Sequence, residues 1–162
     1  IDKLPSNKTK LKLFDKKQLI KHNKLFSSNK TLTKSPNLNI PYFNYLEIWT
    51  DGSIKNNLPI SSIYINNNLK YTLNCPGPAT SFNAEIYAIE IILSNTIHIP
   101  KITIYSDSLS SIEAIKNYPQ WNKRKKKLKS NIIPLENISK LLLKRQEKKF
   151  NTTFIHIYSH LI

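Results

Sequence analysis

Residues 45–53, reading Y-L-E-I-W-T-D-G-S, constrain the fold more than any other stretch of the chain. Leu46 and Ile48 recur at period two, and Trp49 and Thr50 add aromatic and β-branched character, which together signal a strand. The run meets Asp51-Gly52, a pair that reads as a tight turn closing the strand and leaving a carboxylate at its tip. Residues 102–107, I-T-I-Y-S-D, have the same grammar and end on Asp107. Between the two strands, Asn83-Ala84-Glu85 opens the most apolar helical pattern in the chain. Any fold must therefore place three carboxylates at the ends of three core elements.

The remaining elements fall into order around these. Residues 60–65 and 69–73 flank Asn66-Asn67-Asn68 and read as a hairpin, because Asn tolerates positive φ. Thr80 or Ser81 can cap the apolar helix, and Ser108 can cap a short helix carrying Ile112, Ala114 and Ile115. A basic stretch, residues 121–129, has Trp121 at its head and contains Lys123, Arg124, Lys125, Lys126 and Lys127. Pro134 opens an amphipathic helix, and a last strand over residues 153–158 leads to Ser159-His160. This is an α/β order. The Asp51 and Asp107 strands can lie side by side and parallel, so both carboxylates sit at a topological switch point, at the carboxyl ends of strands.

Charge is distributed in blocks. Residues 1–40 carry ten Lys against Asp2 and Asp15, residues 41–120 four Lys against six acids, and residues 121–162 eleven Lys and Arg against Glu136 and Glu147. Basic flanks around a slightly acidic centre suit a protein that grips a phosphate backbone and holds a cation in the middle. An A/T-biased genome that overuses Lys, Asn and Ile codons would give part of the same excess. Residues 1–40 read as a basic linker or the tail of an upstream domain, and residues 41–162 as one domain. Cys75 is the only cysteine, so no internal disulfide is possible and an intracellular setting is expected. No apolar run approaches transmembrane length, so no membrane partner is expected. The sequence contains no Met, even at its start, and reads as a piece of a longer polypeptide.

Each carboxylate has a plainer explanation: turn chemistry for Asp51, the helix dipole for Glu85, a helix cap for Asp107. What those explanations leave out is convergence. Carboxylates meeting at adjacent strand ends repel one another, and a divalent cation relieves that repulsion. With oxygen ligands only, and neither a thiolate nor paired histidines nearby, the expected ion is Mg²⁺ or Mn²⁺ rather than zinc.

The series T-D-G-S (residues 50–53), F-N-A-E-I-Y-A-I (82–89), Y-S-D-S (105–108) and Y-S-H (158–160) resembles a type 1 ribonuclease H domain. Its wording is most similar to such domains in retrotransposon polyproteins, where they follow a reverse transcriptase. The resemblance implies a ribonuclease H-like fold: a five-stranded mixed sheet in the order 3-2-1-4-5, strand 2 antiparallel, flanked by helices. It implies cleavage of the RNA strand of RNA–DNA hybrids with two Mg²⁺ or Mn²⁺ ions. Asp51, Glu85 and Asp107 match the first three metal-binding carboxylates, and His160 the histidine that assists water activation and product departure. Ser53, Ser81, Asn83 and Ser108 fall where nucleic-acid contacts lie. Trp121, Lys123, Arg124, Lys125, Lys126 and Lys127 fall where some members carry a basic protrusion that grips the DNA strand.

The sequence departs from the pattern twice. The glycines usual on strand two are absent, with Ser61 and Ser62 in their neighbourhood, and the sequence ends at Ile162, before the helix that carries a fourth carboxylate. The final helix is therefore expected to be missing, and residues 1–162 alone to bind hybrid duplex and cut it poorly. Related nucleases fit worse: exonucleases of this architecture need an acid where Ser53 stands, and integrases order their acids Asp, Asp, Glu. The rival from another class is a non-catalytic nucleic-acid-binding module.

Overall fold

The computed structural model describes residues 36–66, 69–127 and 132–158. The strands are β1 (Tyr45–Lys55), β2 (Leu58–Ile65), β3 (Leu69–Asn74), β4 (Lys101–Ser106) and β5 (Asn151–His156). The helices are α1 (Ser81–Asn95), α2 (Leu109–Asn117), α3 (Lys123–Lys127) and α4 (Ile132–Glu147), with a 3₁₀ turn at Tyr118–Gln120. The strands form one sheet in the order β3-β2-β1-β4-β5. Pairing is antiparallel for β1/β2 and β2/β3 and parallel for β1/β4 and β4/β5. Sheet order and strand directions are those the resemblance implies.

Local sequence explains each part. In β1, Leu46, Ile48 and Thr50 are buried, while Tyr45, Glu47 and Trp49 face away from the core. In β4, Ile102, Thr103 and Ile104 are all buried, as suits a strand covered on both faces. Thr80 caps α1, its Oγ1 accepting from the Asn83 N–H at 3.0 Å. Ala84, Ile86, Ala88, Ile89, Ile91, Ile92 and Leu93 of α1 have no exposed surface, so α1 is the centre of the core against β1, β2 and α4. Each such Ile or Leu contributes roughly 1.5–3 kcal/mol by leaving water.

Asp51-Gly52 does not end β1. The strand runs on through both residues to Lys55, and the turn falls at Asn56-Asn57, whose φ values of 53° and 62° join Lys55 to Leu58 as a two-residue hairpin. Gly52 is there because α1 crosses β1 at that point. A Cβ on Gly52 would lie 2.5 Å from the Glu85 nitrogen and 2.6 Å from the Ser81 carbonyl oxygen. The glycine thus answers a tertiary approach rather than a turn.

Packing accounts for three further features. Residues 36–40, placed in the linker by composition, join the core: Leu38 and Ile40 are buried, and Asn95 ties the segment to α1 through Leu38 N–H and the Pro36 carbonyl, both at 2.9 Å. Helix α4 starts at Ile132, two residues before Pro134, which sits in the first turn where its missing N–H is not needed. Arg145, on the last turn of α4, is buried rather than solvated. It donates to the Thr96 carbonyl at the end of α1 (2.8 Å), to Thr152 Oγ1 (2.6 Å) and to the Asn151 carbonyl (3.3 Å). Among the described residues no helix is long and apolar enough to cross a membrane.

Candidate active site

Parallel pairing puts Thr50 opposite Ser106, so Asp51 and Asp107 each stand one residue beyond the same row of the sheet. Helix α1, seated on Gly52, delivers Glu85 to that row. One carboxylate oxygen from each of Asp51, Glu85 and Asp107 lies within 4.8 Å of the others. The three grade from solvent to interior: Asp51 is exposed, Asp107 half-buried and Glu85 1% exposed.

Glu85 carries the site's chemistry. Its Oε2 accepts from Thr50 Oγ1 and from Ser106 Oγ, the latter at 2.9 Å. Its Oε1 is buried and has no hydrogen-bond partner among the described residues. Burial pushes the carboxyl up to about 7, the Thr50 and Ser106 hydrogen bonds oppose that rise, and the charges of Asp107 and Asp51 add to it. Asp51 is also held above its ordinary range, by burial and then by Asp107, against the Gly52 N–H. A bare buried carboxylate oxygen beside two more carboxylates is unfavourable without a cation. This donor set, hard oxygens in a partly buried cleft, fits a divalent ion of the Mg²⁺ type.

Backbone supports fix the geometry. Ser61, paired with Gly52 across the β1/β2 ladder and fully buried, donates to the Ala84 carbonyl at 2.6 Å. It joins β2 to the helical turn bearing Glu85. Ser108 caps α2, accepting from the Ser111 N–H at 3.2 Å, and Ser53 is half-buried on β1.

Two residues expected at nucleic-acid contacts, Asn83 and Lys126, are largely buried. Asn83 is 4% exposed, and its amide donates to the carbonyls of Pro76 (2.9 Å) and Pro78 (3.1 Å). It braces the loop before α1 and is nearly all buried, while Ser81 at the helix start is exposed. Lys126 is 9% exposed, and its ammonium lies over the Tyr118 ring. Its neighbours Lys123, Arg124, Lys125 and Lys127 are exposed, and Trp121 is half-buried against Tyr118. His160 lies outside the described residues, as does most of the expected linker. Thr50 and Ser106 were not read from sequence as site residues. Their signal was available: each directly precedes an acid and falls on the inward phase of its strand.

A five-stranded mixed sheet with three carboxylates converging where β4 ends beside β1 defines an α/β protein with an acidic cluster able to hold a divalent cation. The family model for RNase H matches residues 44–161, and the chain belongs to the RNase H family, enzymes that hydrolyse the RNA strand of RNA–DNA hybrids. No curated protein matches the chain in sequence.

Proposed function

We propose that this chain cuts the RNA strand of RNA–DNA hybrids with Mg²⁺ or Mn²⁺ held by Asp51, Glu85 and Asp107. The observation that carries this reading is the bare, buried Oε1 of Glu85 within a three-carboxylate cluster. When bound, a pair of such ions activates water and stabilises the leaving oxygen in phosphodiester hydrolysis. The protein's own part is positional. Thr50 and Ser106 hold Glu85 by Oε2, which leaves Oε1 for a cation. Gly52 and Ser61 fix α1 against β1 and β2, so the spacing of Asp51 and Glu85 is set by backbone contact. The exposed cations Lys123, Arg124, Lys125 and Lys127, headed by Trp121, offer phosphate contacts to the duplex. His160 is assigned to water activation and product departure, and Ser53, Ser81 and Ser108 to substrate contacts, by their match to the family pattern. The same wording supports a retroelement parent in which this domain follows a reverse transcriptase, acting inside the cell.

The test is cleavage of a labelled hybrid by residues 1–162 and by the same chain continued through a family-type C-terminal helix, each with Mg²⁺ and Mn²⁺. Metal-dependent scission of the RNA strand alone is expected, strongest in the longer chain and lost in Asp51→Asn, with hybrid affinity retained. A folded protein that binds hybrid and cuts it with neither metal in either form is a binding module instead.

A further inference from the structure

One lysine of α3 differs from its neighbours. Lys126 is buried while Lys123, Arg124, Lys125 and Lys127 are exposed. Its Nζ lies 4.4 Å from the centroid of the Tyr118 ring, an attractive cation–π placement. Tyr118 has no exposed surface and donates its hydroxyl to Glu136 Oε1, on α4. Glu136 is itself 1% exposed, and its Oε2 is buried with no hydrogen-bond partner among the described residues. A buried carboxylate with a bare oxygen needs a compensating positive charge. The Glu136 charge acts on the Lys126 ammonium and opposes the lowering that burial imposes on it. Cation, aromatic face, hydroxyl and carboxylate form one cluster across α3, the 3₁₀ turn and α4.

Helix α3 has five residues, too few to persist unaided. It is held at its start by Asn122, whose Oδ1 accepts from the Lys125 N–H at 2.8 Å, and on its inner side by Lys126. Trp121 packs on Tyr118 at 5.6 Å between centroids and carries the Lys125 ammonium 4.6 Å from its own ring centroid. At about 100° per residue, Arg124 falls about 160° around the helix from Lys126.

We propose that Lys126 is a positioning residue of the hybrid-binding surface: held over the Tyr118 ring in the field of the Glu136 carboxylate, it sets how the four exposed cations of α3 face the duplex and touches no phosphate itself. This rests on the reading of α3 as a hybrid-binding element. It also separates Lys126 from the other basic residues of the run, which composition alone makes equivalent.

The test is the salt dependence of hybrid affinity for the full chain, with thermal stability measured alongside. Arg124→Ala should reduce the log–log salt slope by about 0.9, one lost phosphate contact, at unchanged stability. Lys126→Met should lower stability and weaken hybrid binding several-fold, because Glu136 loses its counter-charge. Lys126→Met combined with Glu136→Gln should restore both stability and the parent slope. A double variant of parent stability whose slope stays about 0.9 lower assigns Lys126 to a phosphate and overturns the proposal. If the double variant folds poorly, Glu136→Gln alone decides. Glu136 is too buried to reach a duplex, so weakened hybrid binding by the folded variant supports the proposal and unchanged binding overturns it. Unchanged slopes in Arg124→Ala and in Lys123→Ala/Lys127→Ala would remove the hybrid-binding reading of α3, and this proposal with it. Slopes that fall there with no rescue by Glu136→Gln would remove only this proposal.

Discussion

Replacing Glu85 by Gln in the metal-free protein is expected to stabilise the fold above neutral pH while abolishing cleavage. The folded-state carboxyl titrates at about 7, against an ordinary value of 4.5. Between those values the folded chain keeps a proton that the unfolded chain has released, so stability is lost as pH rises through that window. At about 1.4 kcal/mol per pH unit, the loss is on the order of 3 kcal/mol by pH 8. Gln keeps the shape and removes the charge. Its carbonyl can accept from Thr50 and Ser106 as Oε2 does, and its amide takes the place of Oε1, beside the carboxylates of Asp51 and Asp107. Glu90, also pushed up to about 7 by burial and opposed by Asn137, contributes to both proteins alike, so their difference isolates Glu85. The assay is urea unfolding in EDTA at pH 5 and pH 8. The two proteins should match at pH 5 and diverge at pH 8, with Glu85→Gln the more stable by roughly 1–3 kcal/mol once the cost of rearranging amide hydrogen bonds is allowed for. Saturating Mg²⁺ should stabilise the parent by about 2.7 kcal/mol at a hundred times its Kd and the variant by less. Parallel pH profiles for the two proteins would refute the reasoning.

Gly52→Ala should cost roughly 1–3 kcal/mol and reduce turnover at least about tenfold, because its methyl group meets backbone atoms of α1 that cannot rotate away. Parent turnover in the folded variant would contradict this. Arg145→Met should destabilise by about 3 kcal/mol in a urea melt, since three hydrogen bonds from a buried guanidinium are lost, yet leave turnover per folded molecule unchanged. Ser61→Ala should cost about 1 kcal/mol, measured the same way, a smaller effect than Gly52→Ala because one hydrogen bond goes and no atom clashes.

What the sequence disclosed and what it withheld divide along a physical line. Strands with period-two burial, the all-round apolar helix and the acids Asp51, Glu85 and Asp107 on three core elements are written in local pattern, while the five-stranded order comes from the family resemblance. Gly52 reads as a turn residue in sequence because a turn pair and a crossing point use the same residue; only the position of α1 distinguishes them. Asn56-Asn57 carries a turn signal that has no strand to close once β1 is expected to end at Gly52. Lys126 and Arg145 look like surface charge in a Lys-rich chain. Their burial depends on Glu136 and Tyr118 in one case and on Thr96 in the other, partners that no local periodicity announces.

The Arg145 clasp bears on the order in which the protein is made. Thr96, whose carbonyl accepts from Arg145, precedes it by 49 residues, so α1 emerges from the ribosome well before the side chain that seals its end. By then Asp51, Glu85 and Asp107 have all been synthesised, on elements that need only β1, β4 and α1 to meet. A chain synthesised only as far as residue 144 would therefore carry all three carboxylates while the outer edge of β4 lacked its partner strand. Residues 145–156 supply what closes that edge: Arg145 reaches back to Thr96 and grips Asn151 and Thr152, and β5 pairs along β4.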